Sequence, residues 1–267
     1  MKRFRILLPV LLPALMLLAA LTSCSRAKDY TIHGLLTLTD TLASDPRIAE
    51  MIEGQSVYLL DLRGDLIDSA VVAGGEFTIR GTVEEPRFAY IASSFAVNMI
   101  VIEGGDILLD YSNLYFDNTA SGTPSNDGIG RLEDALYELQ EEASRRIEAL
   151  RCALPDSTFA VGDTVAQQAA MRIYFDISDR VSACLDSTID AHPEDLVGVY
   201  AVHMRTADAA TPEELEEALE DYSAFIRENE LFVVRLEYLH ELRNAPTSFG
   251  HDMFDPAELG LETGEDE

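Results

Sequence analysis

Near residue 122 the spacing of apolar residues changes period, and that change limits the fold more than any other feature of the 267-residue chain. Before it, apolar residues alternate with polar or small ones. Tyr30, Ile32, Gly34, Leu36 and Leu38 keep the two-residue period of a half-buried strand. Val57 to Leu60 and Leu66 to Val72 flank Arg63-Gly64-Asp65, the composition of a hairpin turn. Gly74-Gly75 leads into Phe77 to Arg80. Further strands fit Phe88 to Ala92, Asn98 to Ile102, Ile107 to Tyr111 and Leu114 to Phe116, with Gly104-Gly105-Asp106 as a tight turn. Short strands at this spacing predict an antiparallel sandwich or barrel-like sheet.

Ser121 to Gly130, rich in Gly, Pro, Ser and Asn, reads as the punctuation between two halves. After it Ile129, Leu132, Leu136, Leu139, Ala143, Ile147, Leu150 and Leu154 step by three and four, an apolar stripe on a helix. Ala166, Ala170, Ile173, Ile177, Val181, Leu185 and Ile189 form a second stripe, and a shorter helix fits Glu194 to Arg205. Thr211-Pro212-Glu213-Glu214 combines a hydroxyl cap, a proline at the first helical position and an acid three residues after the cap. The expected class is α+β: an N-terminal antiparallel β-sandwich over 24–122, a helical domain over 123–245 and an acidic flexible tail over 246–267.

The first residues address the chain. Lys2, Arg3 and Arg5 precede an uncharged apolar run from Ile6 to Ala20, too short for the ~20 residues of a permanent membrane span. Leu21-Thr22-Ser23-Cys24 then resembles a bacterial lipobox, which implies a signal peptide over 1–23 and lipidation of Cys24. The lipid would hold the protein in the cell envelope. Ser25 in place of an acid after that cysteine points to the outer membrane, and Ser25-Arg26-Ala27-Lys28, which lacks an acidic stretch, to the periplasmic side. Loss of Lys2, Arg3 and Arg5 with the leader takes the net charge from −29 to −32. Such a body repels nucleic acid, so the expected partners are the membrane, through its anchor, and an envelope protein or glycan.

Tyr30-Thr31-Ile32-His33-Gly34, Gly54 to Leu59, Asp68-Ser69-Ala70, Gly75 to Val83, Val101 to Gly105 and Gly122-Thr123-Pro124-Ser125-Asn126 resemble, in that order, the domain of unknown function numbered 4369. Pro193 to Tyr200 and Thr211 to Leu215 are similar to the helical segment that follows that module in many lipoproteins of anaerobic Gram-negative bacteria. There a thioredoxin domain of the TlpA/ResA type comes next. Here only 13 residues follow Phe254, no tryptophan occurs and no Cys-x-x-Cys exists. The resemblance therefore implies the fold and the compartment, and leaves the redox chemistry without residues to carry it.

Chemistry-bearing motifs are sparse. Cys152 and Cys184 are candidates for a disulfide, against two buried thiols. If both lie on long antiparallel helices, about 30 Å of helix axis separates them, well beyond the ~7 Å Cα limit of a bridge. His240-Glu241 is followed by Asn244, so the zinc spacing fails, and no metal or cofactor is expected. Asp61, Asp65 and Asp68 do not match a calcium loop. No nucleophile elbow, phosphate loop or dinucleotide fingerprint occurs, so no catalytic residue is assigned. Asp followed by Ser or Thr and then a small or apolar residue resembles periplasmic O-glycosylation sites at Thr41, Ser69, Ser157, Thr164 and Ser187, although the same residues serve as turns and caps. The expected function is a non-catalytic binding or scaffolding lipoprotein. The alternative is an accessory half of a thiol–disulfide system whose thioredoxin domain lies on another chain.

Overall fold

Alternation along β1 (Lys28–Leu35), β2 (Ser56–Leu60), β4 (Glu76–Val83) and β7 (Gly105–Asp110) buries every second side chain, and the rows Tyr30/Ile32, Val57/Leu59, Phe77/Ile79 and Ile107/Leu109 make one core. The computed structural model describes residues 27–36, 52–93, 97–110, 120–153 and 164–244. With β3 (Leu66–Val71), β5 (Arg87–Ala92), β6 (Val97–Ile102) and β8 (Ala120–Ser121), these strands form two four-stranded sheets, ordered β4-β1-β7-β8 and β3-β2-β5-β6. The leader, Cys24, the expected strand Leu114 to Phe116 and the tail over 246–267 lie outside the described residues.

One pairing departs from the expected antiparallel pattern. β1 pairs with β4 antiparallel but with β7 parallel, Ile32 opposite Ile107. The chain leaves the first sheet after β4, builds β5 and β6 in the second, and re-enters on the far side of β1. Such a crossover, unlike a hairpin, brings the returning strand in parallel.

The β5–β6 half of the second sheet is buried on both faces. On β5, Ala89 and Ile91 enter the sandwich core while Phe88 turns the other way; on β6, Ile100 and Ile102 face in and Val101 faces out. Phe88 and Val101 belong to a second core with the helices α1 (Pro124–Ala153), α2 (Thr164–Ala191), α3 (Leu196–Arg205), α4 (Pro212–Leu219), α5 (Ala224–Arg227) and α6 (Glu230–Asn244). The architecture is thus three layers: sheet, sheet, helices. Among the described residues no helix is long and apolar enough to cross a membrane.

Both edges of the middle sheet are closed to further strands by side chains. At β3, the Asp68 carboxylate accepts the Ser69 N–H at 2.7 Å, and the β2–β3 register shifts at Leu59/Leu60; a charge and a bulge on an edge both oppose strand addition. At β6, the first turn of α1 takes that role. The stretch read as punctuation, Ser121 to Gly130, is mostly this helix start: Pro124 opens it, and the Asp127 N–H donates to the Thr123 carbonyl. Glycine is required here by proximity. A Cβ on Gly128 would lie 2.5 Å from Val197 Cγ2, and one on Gly198 only 1.8 Å from the His192 carbonyl oxygen.

The helix start at Thr211 is as the sequence implies. Its hydroxyl accepts from the Glu214 N–H at 3.2 Å while the Glu214 carboxylate accepts from the Thr211 N–H at 3.3 Å. α3 is capped by Asp195, whose carboxylate accepts from Val197 and Gly198.

Candidate functional site

Two polar constructions occupy the seam between the middle sheet and the helices. The first is a latch. Asn126 is buried; its Oδ1 accepts the Val101 N–H at 2.9 Å, and its Nδ2 donates to the Val101 carbonyl and to Thr123 Oγ1, both at 2.8 Å. The amide therefore satisfies both outward backbone groups of a fully buried edge residue. Beside it the buried Glu103 carboxylate accepts from the Ser125 N–H at 2.7 Å and from its hydroxyl at 3.1 Å. An acid at a helix N-terminus is favoured by the free N–H groups there.

The second is a cleft of about 510 Å³ in the same seam. Leu62 and Arg63, from the β2–β3 hairpin, and Tyr90, from β5, form one wall; Leu231, Val234, Glu237, Tyr238 and Glu241 of α6 form the other, with His203 and Arg235 between. Asp61 shapes the hairpin by accepting the N–H groups of Arg63 and Asp65, each at 2.9 Å. That turn aims Arg63 across the mouth, where its guanidinium donates to Glu237 at 2.7 and 3.3 Å. Arg235 closes the C-terminal end of α3, donating to the carbonyls of Thr206, Ala207 and Ala209. Glu241 has no ion-pair or hydrogen-bond partner among the described residues.

His203 sits half-buried in this cleft, its Nδ1 without a hydrogen-bond partner among the described residues. Burial, reinforced by the Arg235 charge, holds the ring's pKa below its ordinary value. The unfolded chain takes up this proton near pH 6.5, the folded one only at lower pH. Between those values the unfolded state binds more protons, so stability falls as pH drops. His203→Gln is expected to remove a slope of at most about 1.4 kcal/mol per pH unit from urea-unfolding free energies measured between pH 7 and 5. Identical slopes in the two proteins would show that His203 is not held neutral.

On α3 one turn before, Tyr200 is buried and donates to the Glu133 carboxylate of α1, and burial followed by that charge raises its pKa. Both groups tie helices together.

The residues singled out in the sequence are scattered. Cys152, near the end of α1, and Cys184, on α2, are both free thiols; Cys184 is part-buried, but Cys152 is exposed and not buried as expected, because it lies at the end of its helix. Ser69 is exposed on the edge strand β3, Ser187 is exposed near the C-terminal end of α2, and Thr164 begins α2. Cys24, Thr41 and Ser157 lie outside the described residues. Among those residues no group of three or more His, Cys, Asp or Glu gathers around a common point. The cleft was not anticipated: in the sequence Arg63 is part of a turn, and its partner Glu237 belongs to a distant helix. No curated protein and no solved structure matches the chain. Residues 47–128, which hold the hairpins, the sheet wall of the cleft and the whole latch through Asn126, match the family model of a domain of unknown function, DUF4369.

Proposed function

We propose that this protein is a non-catalytic envelope lipoprotein, anchored through Cys24, that binds a partner in the cleft between its middle sheet and α6. The observation that carries the reading is the cleft's construction: Leu62, Leu231 and Val234, two tyrosines, and five charged or ionisable side chains of which Arg63, Glu237 and Arg235 are already committed to structural bonds. Concave, mostly apolar surfaces with a few placed polar groups are the usual form of a binding site. Arg63 and Arg235 are spent on Glu237 and on backbone carbonyls, and neither cysteine lines the cleft beside the neutral, half-buried His203. A group arranged in this way holds and orients; it does not activate a nucleophile.

The test uses the full-length lipoprotein in living cells. A photo-crosslinking amino acid at Tyr238 is expected to give discrete adducts in the membrane fraction, and one at Glu216, exposed on α4, none. Labelling by a palmitate analogue should be lost in Cys24→Ala. Adducts equal at both positions, or a wild-type protein that takes no label, would overturn the reading. A second reading, an accessory half of a thiol–disulfide system, rests on the likeness of Pro193 to Tyr200 and Thr211 to Leu215 to the helical segment of thioredoxin-bearing lipoproteins. It requires that the purified protein stimulate a separate thioredoxin-like reductase.

A further inference from the structure

We propose that the cleft takes a basic peptide segment, an Arg or Lys side chain flanked by large apolar residues. This rests on the reading that the cleft is a binding site. Four features of its lining point to that chemistry. Glu241 offers a carboxylate that no described residue pairs with, at the exposed end of the α6 wall. Tyr90 and Tyr238 line the cleft, one from each wall, and aromatic rings attract a cation placed over their faces through the ring's quadrupole. Leu62, Leu231 and Val234 supply apolar contact for flanking side chains. The two cations of the lining are already engaged, Arg63 by Glu237 and Arg235 by three carbonyls, so neither is free for an acidic ligand.

The long-range field agrees. A chain of net charge −29 draws cations toward it and repels acidic peptides before contact, while the cleft decides which cations stay. The Arg63–Glu237 pair keeps both side chains about half exposed, so it holds Arg63 at the cleft without burying either charge.

The experiment measures fluorescence anisotropy of three labelled peptides, Leu-Arg-Phe-Lys-Leu, Leu-Gln-Phe-Gln-Leu and Leu-Glu-Phe-Glu-Leu, on the full-length protein in detergent near 0.15 M salt. The basic peptide is expected to bind saturably. Glu241→Gln and Tyr238→Ala should each weaken it roughly tenfold, the size of a lost charge-assisted or cation–π contact, with Glu216→Gln unchanged. Circular dichroism would verify that the variants, all at exposed positions, stay folded. If Glu216→Gln weakens binding as much as Glu241→Gln, attraction is by bulk charge alone and the proposal falls. Tyr238-dependent binding of the neutral or acidic peptide would overturn the basic specificity while leaving the binding site standing. Absence of binding by all three, with Tyr238 crosslinks still formed in cells, refutes the peptide class. Absence of both removes the site itself.

Discussion

Asn126→Ala is expected to destabilise the protein by about 3 kcal/mol, because it strands two or three buried polar groups at a cost of about 1–3 kcal/mol each. Val101 is fully buried on the edge of the middle sheet, and the Asn126 amide meets both its N–H and its carbonyl. Water cannot replace the amide there without opening the joint between β6 and α1. Thr123 loses a donor as well. Asn126→Asp is expected to be at least as harmful: it keeps the acceptor for Val101, removes both donated bonds and buries a charge beside Glu103. Urea unfolding followed by far-UV circular dichroism measures both. A loss below about 1 kcal/mol in Asn126→Ala would mean that water fills the joint and that the latch is incidental to the attachment of the helices.

The latch also shows where the sequence is readable and where it misleads. Gly122-Thr123-Pro124-Ser125-Asn126 has the composition of a loop, and a loop was the natural reading. Thr123-Pro124 nonetheless repeats the pattern of Thr211-Pro212, a hydroxyl residue followed by proline at the first helical position, and both open helices. The strands and the two long helices follow from period alone, since burying one face forces alternation in a sheet and a stripe on a helix. Burial on the second face of β5 and β6 left a fainter mark: Phe88-Ala89-Tyr90-Ile91 and Met99-Ile100-Val101-Ile102 are runs in which apolar side chains do not alternate. Such runs belong to strands covered on both sides, and they announce a third layer. The parallel β1–β7 pair had no local signal, because strand direction depends on connection, which residue spacing does not encode.

The candidate site was less legible than the fold for a similar reason. Arg63 and Glu237 meet across 174 positions of sequence, and each is unremarkable in its own segment. Asp61, by contrast, could have been read as the turn's acceptor, being placed two and four residues before the N–H groups it binds. His203 lies on an apolar helix, a position that implies packing, and only the fold says against what.

Phe232→Ala should lower stability by about 3–5 kcal/mol, the largest loss expected of any single truncation here, since the ring is fully buried and its removal leaves a cavity. It lies on α6 beside Leu231 of the cleft, in the core that also holds Phe88 and Val101 from the middle sheet. Were the helices an independent unit, the change would shift one unfolding transition and leave a second, belonging to the sandwich, where it was. The layers argue otherwise. Phe88 and Ala89 are adjacent on one strand and serve opposite cores, as do Ile100 and Val101, so neither core can come apart without the backbone of the other. A single transition is therefore expected, moved to lower urea with an unchanged slope, when tyrosine fluorescence and far-UV circular dichroism are followed together. Phe232→Leu, which keeps most of the volume, should shift the same transition by less. Two transitions in Phe232→Ala, only one of them displaced, would show that the helices attach to the sandwich from outside and that the cleft lies between separately folding bodies.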